Sequence, residues 1–184
     1  VRMVGVTGSL SMNNTHTDSD IDVLVVSKAN RIWTLRALVT LAMHFAGRRR
    51  YGEKIKDRIC LNHYISEDGM SLRPVHIFSS HICASMIPVV DRGNTYNEFI
   101  QKNSGLIAPH MPYARYPKVN LHDMSVSKRT YYSKSIANAI EAVLENTVSR
   151  HLEKALKKAQ SKRIQATTKP HHRGRRVQAC GLRA

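Results

Sequence analysis

The stretch Met3-Val4-Gly5-Val6-Thr7-Gly8-Ser9, followed after a polar interval by Asp20-Ile21-Asp22-Val23-Leu24-Val25-Val26, decides how this chain folds. Met3 to Thr7 is a short apolar run that stops at Gly8, which reads as a strand entering a tight turn. Leu10 to Ser19 is rich in Ser, Asn and Thr and reads as a loop. From Asp20 the pattern first alternates and then becomes continuously aliphatic, the signature of a strand buried on both faces whose start reaches an exposed edge. Asp20 and Asp22 are two residues apart, so on a strand both carboxylates leave the same face.

That geometry has a chemical meaning. Two like charges held so close are costly without a cation, and a hard ion such as Mg²⁺ takes such an oxygen pair and completes its shell with substrate phosphates. Gly8 allows the close backbone approach that a phosphate needs, while the Ser9 hydroxyl and nearby N–H groups can donate to its oxygens. Solvated acids capping a strand end explain the pair alone equally well. They do not explain the pair together with a Gly-Ser turn.

Outward from this centre, Asn30 is placed to cap a helix reaching Ala46, with Ile32, Leu35, Leu38, Val39, Ala42 and Phe45 at three- and four-residue steps and Gly47 ending it. Arg58 to Ile65 reads as the third strand, with Ile59, Leu61, His63 and Ile65 on one face and Cys60, Asn62 and Tyr64 on the other. Glu67-Asp68-Gly69 closes it with a turn. His76 to Ile87 reads as a buried helix stopped before Pro88, and Asn94 or Thr95 starts another reaching Lys102. Ser104 to Ser127 has little periodicity and reads as a covering loop or linker. Tyr131 to Gln160 is the longest helical pattern, with a stripe at Ile136, Ile140, Val143, Leu144, Val148, Leu152 and Leu156. It serves either packing on its own domain or docking of a partner. The domain boundaries expected are 1–103 for the main domain, 104–130 for the linker, 131–160 for the helix and 161–184 for a basic, disordered tail.

Composition limits the function classes. The 184 residues suffice for one core with a small appendix, and no stretch reaches the roughly 18 apolar residues of a membrane span. The net charge of +16, from 29 Lys and Arg against 13 Asp and Glu, favours polyanionic partners such as nucleotides or nucleic acid. A merely solvated basic surface fits equally well. Arg48, Arg49 and Arg50 follow a helix C-terminus, where positive charge is favourable in any case. Arg31, near a helix start, can reach a phosphate or face solvent. Cys60 and Cys83 sit in apolar runs and read as buried thiols, which fits a reducing, cytoplasmic setting. His76, His81 and Cys83 form a weak second metal-ligand pattern, since their spacing is not that of a zinc helix. Val1 begins almost inside a strand with no initiator Met, so the chain reads as a piece of a longer one.

The pattern Gly8-Ser9 with Asp20-Ile21-Asp22 resembles the signature of the polymerase beta-type nucleotidyltransferase superfamily. The longer strings Val6 to Asn14, Arg31 to Arg36 and Asp57 to Asn62 resemble a small bacterial group of nucleotidyltransferase-domain proteins, a likeness that fades after about residue 125. The resemblance implies an α+β fold: a small mixed sheet flanked by helices, here with a C-terminal helical extension. It implies Mg²⁺ at Asp20 and Asp22, an NTP held by Gly8 and Ser9, with Arg31 a further candidate, and transfer of a nucleoside monophosphate to an acceptor with release of pyrophosphate. It also implies a third carboxylate on the third strand, where the matching position is Asn62. Asparagine can coordinate through its carbonyl oxygen but is uncharged and cannot act as a base. Either Glu67 or Asp68 stands in for the missing acid, or the chain is a weakly active or inactive nucleotide- or nucleic-acid-binding module of the same fold.

Overall fold

The computed structural model describes residues 1–74, 76–107, 109–111 and 147–168. They divide into two units, the first holding everything up to residue 111 and the second holding 147–168.

The first unit is built on a four-stranded sheet in the order β3-β2-β1-β4. Strands β1 (Met3–Thr7) and β2 (Ile21–Ser27) pair antiparallel with Thr7 opposite Asp22, so the end of β1 and the start of β2 lie side by side. β3 (Ile59–Ser66) runs parallel to β2, which a crossover helix must connect; α2 (Ile32–Phe45) is that helix. β2 therefore lies between two strands, and Val23 to Ser27 are all buried, as the aliphatic run requires.

Several elements differ from the sequence reading. Gly8–Ser11, expected to be a turn opening into a loop, forms the single-turn helix α1. At the start of α2, Asn30 adopts a positive φ of 56° and the capping position falls to Arg31, which makes no side-chain capping bond. The outer half of the expected α2 stripe is exposed, Leu38 by 44% and Phe45 by 80%, because only the first turn, with Ile32 and Trp33, is buried.

The helix read over 76–87 is α3 (Ile77–Ser85), and it ends early because Ile87–Asp91 is a strand, β4. Pro88 hid it: proline argues against a central strand, but β4 is an edge strand, where the missing N–H is tolerated. His76 caps α3 by accepting from the Ser79 N–H at 3.2 Å while the Ser79 hydroxyl accepts from the His76 N–H at 3.1 Å. Helix α4 (Thr95–Ile107) runs past the expected end at Lys102, because Asn103, Leu106 and Ile107 are buried. Met3, Leu24 and Val26 from the sheet join Ile82, Cys83, Met86, Phe99, Leu106 and Ile107 in one core.

In the second unit, α5 spans Thr147–Thr168, eight residues beyond the expected end at Gln160 and into the segment read as a disordered tail. The part of that helix expected over 131–146 lies outside the described residues, as does the linker after 111. None of the described helices is long and apolar enough to cross a membrane.

Candidate metal and nucleotide site

Gly8 follows β1 with φ +69°, a left-handed conformation that favours glycine. A Cβ there would fall inside the Asp22 carboxylate, so the turn closes directly onto the acid. The turn is held from the other side: the Ser11 hydroxyl donates to the Gly8 carbonyl at 2.9 Å and lies 3.1 Å from the Ser85 hydroxyl of α3. Ser9 is half-buried in the same turn. Gly8, Ser9, Asp20 and Asp22 are thus brought together by the pairing of Thr7 with Asp22.

The third member comes from β3, although not as the alternation implies. Cys60 pairs with Asp22, yet His63 pairs with Leu24, so β3 carries one extra residue between them and its two-residue period is broken. The expected grouping of Cys60 with Tyr64, and of Ile59 with His63, fails at this bulge, while His63 and Ile65 keep a common face. In a parallel pair, partners in register share a face, which puts Cys60 and His63 on the side of Asp22 and Leu24. Asp20, Asp22 and Cys60 offer ligand atoms that all lie within 4.8 Å of one another. This is the only group of its kind among the described residues, so His76, His81 and Cys83 are not brought together. The Asn62 side chain lies outside what is described.

Arg50 completes the cluster. Arg48 to Arg50 lie alongside β3, with the Ile59 N–H donating to the Arg48 carbonyl at 2.8 Å and the Arg50 N–H donating to the Ile59 carbonyl at 3.1 Å. From there Arg50 Nη1 donates to Asp20 Oδ2 at 2.6 Å and to Cys60 Sγ at 3.6 Å. Neither Cys60 nor Arg50 carried a distinguishing signal in the sequence, where one reads as a core thiol and the other as a helix-end charge. The bulge and the return of the 48–50 segment are tertiary facts.

The electrostatics follow from burial. Desolvation and the neighbouring Asp20 charge raise the Asp22 pKa above the ordinary 3.8, with Cys60, His63 and Arg50 pulling the other way. Burial pushes the Cys60 thiol up to about 12, with Asp22 and Asp20 adding to the rise and Arg50 opposing it. The His63 pKa is lowered by burial against the opposing pull of Asp22. The site holds two carboxylates, a protonated thiol and one guanidinium.

Two expected participants are elsewhere. Arg31 follows the C-terminal end of β2, and the five residues from Asp22 to Ser27 separate the two ends of that strand by about 16 Å at ~3.3 Å each. Glu67 is at that same far end, ion-paired with Arg2 Nε at 2.7 Å and accepting from the Ala29 N–H at 3.0 Å. Neither it nor the adjacent Asp68 stands in for the third carboxylate, because β3 runs parallel to β2 and carries its C-terminal end away from Asp22.

A family profile of the nucleotidyltransferase domain matches residues 1–109, more than half of the chain. This protein belongs to the nucleotidyltransferase-domain family. No curated protein matches the chain. The matched residues of this nucleotidyltransferase domain contain the whole sheet, α1 to α4, and every residue of the acidic cluster. The polymerase beta-like fold expected from Gly8-Ser9 and Asp20-Ile21-Asp22 is therefore the fold of this domain, with a small mixed sheet flanked by helices and a C-terminal helix.

Proposed function

We propose that the domain is a metal-dependent nucleotidyltransferase that moves a nucleoside monophosphate from an NTP to a hydroxyl-type acceptor. The observation that carries this reading is the closure of the Gly8 turn onto the Asp22 carboxylate, which sets a backbone cradle beside a paired acid. The donor set suits a divalent ion: Asp20 and Asp22 supply hard oxygens, and burial beside Asp20 raises the Asp22 pKa, a cost that a cation would offset. Mg²⁺ held there would neutralise phosphate charge and orient the triphosphate. The turn at Gly8 and Ser9 would hold phosphate oxygens on the β1 side of that pair. The bond from the α-phosphorus to its bridging oxygen breaks, a bond to the acceptor oxygen forms, pyrophosphate leaves, and the acceptor proton passes to solvent. Cys60 does not accept that proton at neutral pH, because its thiol is already protonated.

The test pairs binding with turnover. Wild-type protein should bind Mn²⁺ and a non-hydrolysable NTP, and should transfer label from an α-labelled NTP to acceptor candidates. D20N and D22N should lose metal binding while keeping the fold. Absence of both metal and NTP binding at millimolar nucleotide would end this reading.

A second reading rests on Cys60 and Arg50. A protonated thiol in place of a charged ligand, and a guanidinium already paired with Asp20, suit a weakly active or inactive module that binds nucleotide or nucleic acid. Under it, oligonucleotide binding persists in EDTA and falls by decades between ~50 and ~200 mM salt, as six to ten phosphate contacts demand. Affinity that is flat across that range would rule it out.

A further inference from the structure

Beside the acidic cluster, at the β3 edge of the sheet, lies a cavity of about 280 Å³ lined by Arg36, Thr40, Arg49, Arg50, Tyr51 and Cys60 among others. It falls just below the range of drug-sized ligand sites, about 300 to 1,000 Å³, as a site for a small anion would. Three elements meet there: the middle of α2, the 49–52 segment that returns along β3, and the start of β3 itself.

The charges in it are unbalanced. Of its three arginines only Arg50 has a carboxylate partner, Asp20. Among the described residues no carboxylate pairs with Arg36 or Arg49. Arg36 is half-buried and held over the Tyr64 ring, its guanidinium carbon 5.6 Å from the ring centroid. Desolvation and the nearby Arg49 charge both weaken its hold on its proton, with Tyr64 opposing. A cation fixed by stacking, partly stripped of water and crowded by a second cation is an arrangement that an anion relieves. Planar guanidinium groups converging on a small polar cavity suit the tetrahedral oxygens of a phosphate.

The position assigns the phosphate's source. The sheet order puts β1 and β3 on opposite flanks of β2, so the Gly8-Ser9 turn and the arginine cavity lie on opposite sides of Asp22. The triphosphate taken up at Gly8 leaves the β3 flank for the other substrate. We infer that the Arg36–Arg49–Arg50 cavity is a phosphate subsite, and that the acceptor of this nucleotidyltransferase is itself a phosphorylated molecule. The assignment to the acceptor rests on the transferase reading above; the anion subsite does not.

The experiment titrates inorganic phosphate into the full chain in EDTA by calorimetry. Wild type should bind it, and R36Q and R49Q should each weaken binding about tenfold or more, the loss expected for a hydrogen-bonded charge. R36K, which keeps charge and stem but loses the planar fork, should fall between. R49Q guards against misfolding of R36Q, because Arg49 is not part of the core cluster and is not held on an aromatic ring as Arg36 is. Phosphate affinity unchanged in both Gln variants, or no binding to wild type, would overturn the subsite. Phosphate binding should also survive saturation with Mg²⁺ and a non-hydrolysable NTP; displacement by that NTP would overturn the acceptor assignment. Phosphate binding retained in D22N alongside no Mg²⁺–NTP binding in wild type would instead refute the transferase reading and leave the subsite standing.

Discussion

Replacing Gly8 by alanine tests the site at the point where backbone and carboxylate meet. The first cost is conformational: φ +69° in a residue with a Cβ costs about 1–2 kcal/mol. The second is steric, because the new methyl group occupies the space of the Asp22 carboxylate and meets its Cβ at 3.1 Å and its Cγ at 3.2 Å. Asp22 must turn away, and a metal ion held by the acidic pair would lose one of its two carboxylates. Gly47 provides the control. It has φ +63° with nothing within 4 Å of where a methyl group would stand, so G47A carries the backbone cost alone. Urea unfolding should therefore show G47A destabilised by about 1–2 kcal/mol and G8A by more than that. Mn²⁺ binding, read by spin resonance, should weaken about tenfold or more in G8A, equivalent to ~1.4 kcal/mol, and stay at the wild-type value in G47A. A second arm adds D22A: with the carboxylate gone, G8A should lose its steric share, so the two substitutions combine to less than the sum of their separate effects. G8A protein that binds Mn²⁺ like wild type, or G47A protein that loses it equally, would show that Gly8 does not hold Asp22 in the metal-binding position.

Because the folded-state pKa of Asp22 lies above its unfolded value of 3.8, its neutral form favours the fold, and this contribution is present below 3.8 and lost as pH rises through the folded value. Metal-free D22N should accordingly be more stable than wild type at pH 7, an advantage that disappears below pH ~4 in urea titrations; added Mg²⁺ should stabilise wild type only. For Cys60, a rise from 9.0 to about 12 is three pH units, so its thiolate population at neutral pH is about a thousandfold below that of a free thiol. Iodoacetamide should leave it unmodified in the native protein and label it in urea, followed by mass spectrometry, and C60D should bind Mn²⁺ more tightly by supplying a third charged oxygen. Asn103 is 1% exposed and spans three backbone groups, accepting from the Leu72 N–H and donating to the Met70 and Phe99 carbonyls. N103L should cost about 2–4 kcal/mol in urea unfolding, since it strands the Leu72 donor and the Met70 acceptor in the core.

The local order of Gly8, Ser9, Asp20 and Asp22 was legible because each signal is short-range. A glycine ends an apolar run, a pair of acids shares one face through the two-residue strand period, and an aliphatic run requires cover on both sides. The crossover from β2 through α2 to β3 follows from the same patterns, as does the burial of Cys60 and Cys83. What the sequence could not carry depends on which distant segments meet. The extra residue in β3 shifts its register against β2, so Cys60 and His63, which alternation puts on opposite faces, both lie on the side of Asp22, and no period read along one strand can reveal a mismatch between two. Pro88 reads as a helix stop until β4 is known to lie at a sheet edge. Arg50 reads as a helix-end charge until the chain after Gly47 folds back along β3 and delivers it to Asp20. Local chemistry picked out the acids and the Gly-Ser turn; long-range pairing chose their neighbours, and those neighbours set the charge of the site.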